Sequence, residues 1–243
     1  MGGAGPLIAA SVTPLTRDAR RPLVALAALA FGTVARVRGD RALHPRGVVF
    51  SGTFMASGSM LADGTRLFAG GERRAALIRI SRGGGLPDAL PDVRGCAIRV
   101  VDAHGEGLHQ DLLLASSLSR PGGRHLLIPG RDFGSAFYSS LLPYQMGGRR
   151  LLFGAATDEP LGSTLAEVER AVGMDRRRLR LFAAGALGEW RELAAVDLER
   201  RASDEQELRF NPWTTGGGIQ PVGALMGLRD PAYRASQAAA PRA

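Results

Sequence analysis

Side chains able to carry acid–base, redox or metal chemistry are few in this chain of 243 residues, which has 4 histidines, 1 cysteine and 3 tyrosines. His104, His109 and His125 fall in or beside turn-like segments and lack the HxxxH or CxxC spacings that set ligands on one face, so they do not read as a zinc site. His44 stands apart, in the run Arg41-Ala42-Leu43-His44-Pro45-Arg46-Gly47 at the entrance to an apolar stretch. An imidazole titrates near neutral pH and can move a proton, and a guanidinium offers a planar fork to a carboxylate. Cys96 is alone and cannot form an internal disulfide, which favours a reducing compartment and leads us to expect a cytoplasmic protein.

The elements that must position these groups come from a globular composition: 45% hydrophobic and 22% charged residues, with 6% aromatic. At this length roughly 70% of the extended chain's surface can be buried without a disulfide or metal staple. Short apolar runs bounded by glycine and proline predict strands at Gly47–Phe54, Ala75–Ser81, Cys96–Val101, His109–Ala115, His125–Ile128, Leu151–Ala155, Leu179–Ala183 and Glu207–Phe210. Helical periodicity is expected in Phe133–Leu142, Leu161–Val172 and Gly223–Ala239. Strands following one another without helices between them argue for an antiparallel meander or barrel, an α+β protein with helices at one end. The division expected is an arm with the start of a first helix over residues 1–29 and one domain over 30–240.

All 31 cationic residues are arginine, so the net charge of +8 reflects a coding preference as much as a partner. The arginines are scattered and no basic run is interleaved with stacking aromatics, so no nucleic-acid partner is expected. The apolar stretch from Pro22 to Phe31 is too short to cross a bilayer at about 1.5 Å per residue, so no membrane span is expected. The glycine-rich spots at 83–85 and 216–218 read as turns, since neither carries a phosphate-cradling pattern.

The segment HPRGVVFSGTF at 44–54 resembles the distal-histidine segment of the haem catalases, R-x-x-H-A-K-G-x-x-x-x-G-x-F, at Arg41, His44, Gly47, Gly52 and Phe54. The stretch 77–114 is similar to the family's Arg-Phe-Ser strand, Asp-x-Arg-Gly turn and Asp-Leu-Val strand, at Arg79, Ser81, Asp92, Arg94, Gly95, Ala97, Asp111 and Leu112. The stretch 210–233 resembles the segment ending in Arg-x-x-x-Tyr, which gives Arg229 and Tyr233. The resemblance implies a catalase-like barrel binding haem b, an oxidoreductase whose iron is held by a Tyr233 phenolate. Arg229 would favour that phenolate, His44 would shuttle a proton on the opposite face, Ser81 would orient the imidazole, and Arg41 and Arg79 would hold propionates.

The departures matter as much. The family's peroxide-binding asparagine falls here on Ala115 or Ser116, and a serine donates a single hydrogen bond. Pro231 lies between Arg229 and Tyr233 and can start a helix there rather than continue one. Phe133 and Phe137 are the stand-ins for the family's haem-stacking phenylalanines. The expectation is therefore a peroxidase-like enzyme for organic hydroperoxides, with Leu112, Leu113 and Leu114 near an apolar tail and weak disproportionation of hydrogen peroxide. The alternative is a haem-free module binding an acidic or lipidic small molecule through Arg41 and Arg79. Catalase relatives commonly assemble, so a homo-oligomer is within what the resemblance implies, although the interlocking elements are trimmed here.

Overall fold

The computed structural model describes residues 46–58, 65–83, 86–88, 90–203 and 208–222. His44, Arg41, Arg229 and Tyr233 lie outside the described residues, as do the expected boundary at 29 and 30 and the expected helix at Gly223–Ala239.

The long strands are β1 (Arg46–Ala56), β2 (Arg73–Arg82), β3 (Arg94–Val100), β4 (Gln110–Ser117), β7 (Arg149–Ala156), β8 (Arg177–Ala184) and β9 (Arg191–Arg201), with a short β5 (Phe137–Ser139). Each pairs antiparallel with the next in the order β1-β2-β3-β4-β5-β7-β8-β9, and β9 returns to β1, so the eight strands close into a barrel. Closure removes the open edges that a meander of this length would otherwise present. Two further strands, β6 (Tyr144–Met146) and β10 (Gln220–Pro221), extend the sheet beside β7.

Alternation of side chains fixes what each face of the wall does. Phe50, Phe54, Ile78, Ile80, Cys96, Ile98, Leu112, Leu114 and Phe153 point inward and form one core. Where β1 meets β9 the register shifts between Ser51 and Gly52. A Cβ on Gly52 would stand 1.7 Å from the Asp197 carbonyl oxygen, so only glycine lets the two backbones close the barrel there.

The one α-helix among the described residues, α1 (Leu165–Met174), starts at a reciprocal cap. The Thr164 hydroxyl accepts from the Glu167 N–H at 3.2 Å, and the Glu167 carboxylate accepts from Ser163 N–H at 2.7 Å and Thr164 N–H at 3.1 Å. Those backbone donors hold the Glu167 carboxyl below its ordinary range. Val168 and Val172, one turn apart, are buried as the helix packs on β9 and β1. No helix among the described residues is long and apolar enough to cross a membrane.

Several expectations change. Phe133–Leu142 is not helical and instead contains β5. His125–Ile128 is no strand, because a 3-10 turn at Gly123–His125 leads into irregular chain. The described part of Glu207–Phe210 is irregular as well. The 11-residue β9 went unmarked, since Arg-Glu-Leu-Ala-Ala-Val-Asp-Leu-Glu-Arg-Arg mixes helix formers and charges without clean alternation.

Candidate functional site

The strand register brings together residues that the sequence could only place in order. Gly47 pairs with Ser81, Ser81 with Gly95, Gly95 with Ala115, Ala115 with Ser139, and Ser139 with Gly154. Directly paired residues share a face. This row is out of phase with the core positions Ile80, Cys96 and Leu114, so it lies on the outer face of the wall. The outer face is screened from solvent here: Ser81 is 3% exposed and Ser139 fully buried. Val49, buried but outside the core cluster, continues the same covered face on β1.

The floor of the row is made of the smallest side chains, and what surrounds it is larger. Arg79, in the neighbouring outer row, lays its guanidinium across Gly47: a Cβ there would come within 2.8 Å of Arg79 Cζ and Nη2. Leu113 stands two residues along from Ala115 on β4. At the other end a Cβ on Gly154 would meet the rings of Phe137 at 2.8 Å and Trp190 at 2.9 Å. Those two rings pack with centroids 5.0 Å apart, and Phe137 also faces Phe182 at 6.4 Å. Beyond Leu113 the outer face is closed by the chain itself. Asp111, fully buried, accepts from Arg99 Nε and Nη2, both at 2.7 Å, and from the Asn211 N–H at 2.8 Å. This bidentate pair raises the Arg99 pKa and ties the segment after Arg209 to β4.

Ser81 therefore sits in the row, and Arg79 beside it. Ser81 is buried on the outer face at 3% exposure. Ser116 does not join them. It shares the inward phase of Leu114, and its hydroxyl is committed: it accepts from the Arg94 N–H at 3.0 Å and donates to the Ile128 carbonyl at 2.6 Å. The residue of β4 that lies in the row is Ala115, so the row carries neither an amide nor a hydroxyl on that strand. Its neighbour Ser117 shares the outer phase, is 7% exposed, and has a buried hydroxyl with no hydrogen-bond partner among the described residues. Nothing in the sequence separated Ser117 from Ser116 except the parity of the strand.

Other sequence candidates have structural employment. Asp92 faces Arg82 on the adjoining strand, Oδ2 to Nε 3.6 Å, and its Oδ1 accepts from the Val93 N–H at 2.7 Å. Arg94, fully buried, donates to the Arg131 carbonyl at 2.6 Å and stacks on Phe133 at 4.3 Å, and burial with the nearby Arg82 charge lowers its pKa. Phe133 is thus an interior residue under Arg94, not a ring on the outer face. The Nδ1 of His125 bonds the carbonyl of Leu141, 2.8 Å away, and Leu141 is held at φ 60° with its N–H on Ser139 Oγ at 3.1 Å. His104 bonds Gln110, and His109 accepts from the Asp102 N–H. Among the described residues no group of three or more His, Cys, Asp or Glu is placed to hold a metal.

No protein-family model matches the sequence, and no curated protein does. Solved structures do match. A fungal catalase superposes with a TM-score of 0.61 at 14% identity, covering 97% of this chain and 63% of its own. Catalase A from Saccharomyces cerevisiae gives 0.59 at 14% identity, covering 96% of this chain and 67% of its own.

The fold is catalase-like. Identity at this level establishes the architecture alone, and the chain spans less than two thirds of the length of the first of these catalases. For a planar cofactor, what this catalase-like barrel offers among its described residues is a covered outer face floored by Gly47, Ser81, Gly95 and Ala115, with a guanidinium at one side. A flat ring can approach glycine and alanine closely, and Arg79 suits a carboxylate on its rim. On this side the residues fit a haem.

Proposed function

We propose that the chain is a catalase-like haem protein, an oxidoreductase acting on hydroperoxides in the manner of a peroxidase and disproportionating hydrogen peroxide weakly. The observation that carries this reading is the outer row Gly47–Ser81–Gly95–Ala115, which gathers residues from the separate sequence segments that resemble catalase and sets Arg79 against Gly47. In this reading Arg79 and Arg41 would hold the propionates, Tyr233 would supply a phenolate to the iron with Arg229 favouring its anion, and His44 would handle the peroxide's proton. When bound, the haem supplies two-electron chemistry at iron on a peroxide O–O bond.

The chain's own part is proton handling and water exclusion. His44 takes the proton of the hydroperoxide's terminal oxygen and returns it to the oxygen that leaves as water or alcohol. Ser81 accepts from the imidazole N–H and so fixes which nitrogen is the base. Ala115, in place of an amide, removes a donor that would orient a second hydrogen peroxide, which favours reduction of a peroxide over its disproportionation. We place the protein in the cytoplasm, without nucleic acid or a membrane span as partner, as a single domain over residues 30–240, and as a homo-oligomer.

The purified protein's visible spectrum tests the reading. A Soret band after expression with haem supplied, lost in Tyr233→Phe, is the expected result, with oxygen evolution from hydrogen peroxide well below that of ordinary catalases. A protein that stays colourless with haem in excess overturns it and leaves the haem-free binding module.

A further inference from the structure

The chain that leaves the Asp111 clamp folds back to reach β10, and on the way it shapes a cleft of about 270 Å³ that is open to solvent. Small-molecule sites run from about 300 to 1,000 Å³, so this one has room for a single ring. Its walls are the Trp213 indole, the main chain of the glycines at 216–218, Thr215, Gln220 and Pro221, and none of these carries a charge. Trp213 is 40% exposed, whereas Trp190 is packed on Phe137 and stacked with Arg124. The cleft is held in shape from beneath. Gln110, fully buried, donates to the Asp111 carbonyl, which leaves its Oε1 to accept from Thr215 Oγ1 at 2.9 Å and from His104 Nε2 at 3.0 Å. The His104 ring lies against the glycine loop: a Cβ on Gly216 would come within 2.8 Å of its Cδ2, and one on Gly217, where φ is 55°, within 2.5 Å of its Nδ1. Only glycine fits there, so the loop offers main chain alone. At the indole's base the Trp213 N–H donates to Asn211 Oδ1 at 3.0 Å, and the Asp111 N–H donates to the Thr214 carbonyl at 2.8 Å.

We propose that this cleft binds one uncharged pyranose unit, with the sugar's C–H face on the Trp213 indole and its hydroxyls met by the Gln220 amide and the glycine main chain. An indole face attracts C–H groups made electropositive by neighbouring oxygens, and it gains further by covering apolar area. The exposed Gln220 amide can donate to one hydroxyl and accept from the next. Polar groups therefore come both from β10 and from the glycine loop, which suits a ring with hydroxyls around its rim. A bare aromatic ring would strip water from one of them without replacing it. No guanidinium lines the cleft among the described residues, so nothing there compensates a phosphate or a carboxylate. A proline-rich peptide docks in a groove lined by aromatic rings, and here one indole stands alone among the lining residues. The inference does not depend on haem.

Methyl glucopyranoside is titrated into the full chain labelled with nitrogen-15, with the Trp213 indole N–H as reporter. The expected result is a saturable shift of that resonance and of the Gly217 and Gly218 amides, while the Trp190 indole stays in place. Affinity, followed at the glycine amides, should weaken about tenfold in Trp213→Ala and about threefold to fivefold in Gln220→Ala. Sorbitol, which carries the hydroxyls without the ring face, should bind about tenfold more weakly than the glucoside. Absence of a saturable shift, sorbitol binding as well as the glucoside, or an affinity indifferent to Trp213→Ala each overturns the proposal. So does tighter binding of a sugar phosphate or of a proline hexapeptide than of the glucoside. Should Trp213→Ala fold poorly, the exposed Gln220→Ala decides: unchanged affinity there overturns the assignment.

Discussion

The two faces of β4 use the same residue types to opposite ends. On the inner face Leu112, Leu114 and Ser116 are packed or hydrogen-bonded, the serine bridging β3 to the Ile128 segment through two bonds. On the outer face Asp111 is fully engaged, but Ala115 and Ser117, farther along, face a floor of glycine and alanine with a hydroxyl unmet. On β4 itself the inner polar group is met as folded, while on the outer side the Asp111 end is met and the Ser117 hydroxyl is not. The polar groups of β4 are thus met on its inner side and at one outer clamp, and the outer part near Ala115 and Ser117 is left small and polar.

The largest expected break comes from the seam that gives the inner face its closure. Gly52→Ala would drive a Cβ into the Asp197 carbonyl. Backbone has no rotamer to yield, so the loss should exceed about 4 kcal/mol, and the variant should be insoluble or molten by circular dichroism. Soluble, cooperatively folding Gly52→Ala protein would show that the seam is not rigid. Next, Asp111→Ala strands the Arg99 guanidinium against β4 and frees the Asn211 N–H, at an expected cost of about 3 kcal/mol by urea denaturation. Proteolysis should then begin near Arg209, because that clamp is what fastens the segment to the wall.

Ser116→Ala sharpens the contrast directly. It leaves the Arg94 N–H and the Ile128 carbonyl without their side-chain partner, so about 2 kcal/mol should be lost. The inner position of Ser116 means any bound chromophore's spectrum should be unaltered once the variant is folded. A spectral change without a stability change would reverse the assignment of the two faces.

How much of this was legible beforehand follows from what sets each feature. The strands β1 to β4 announce themselves by apolar runs between glycines and prolines, and the barrel class follows from their succession. Gly47, Ser81 and Gly95 could be picked out by type, but their convergence is a matter of register, which no local signal reports. Parity puts Ala115 and not Ser116 in the outer row, and a slip of one residue would exchange them. The strand β9 was illegible because its residues prefer helix when alone, and its place between β8 and β1 overrides that preference. Arg124 gave no sign at all. It is buried because its guanidinium gathers the carbonyls of Ser119, Gly185 and Gly188 and stacks on Trp190, contacts between segments far apart in the chain.

The smallest effect concerns how dry the inner face is. Cys96 lies between Ile80 and Leu114 on the inner side of β3, and burial pushes its thiol up to about 12 from an ordinary value of 9.0. An unfolded chain loses that proton above pH 9 while the folded chain keeps it, so the unfolded state binds fewer protons and stability falls as pH rises from 9 toward 12. The slope approaches about 1.4 kcal/mol per pH unit. The chain has no lysine to titrate in this window, and the buried Tyr138, whose pKa is also raised, adds a smaller loss of the same sign that begins as pH approaches 10. Urea midpoints measured at pH 8, 9 and 10 should therefore drop at the last step in the parent and drop clearly less in Cys96→Ala. Equal drops in both would mean that solvent already reaches the inner face at Cys96, and the barrel would then be a wet channel in which inner and outer hydroxyls are no longer distinguished by access to water.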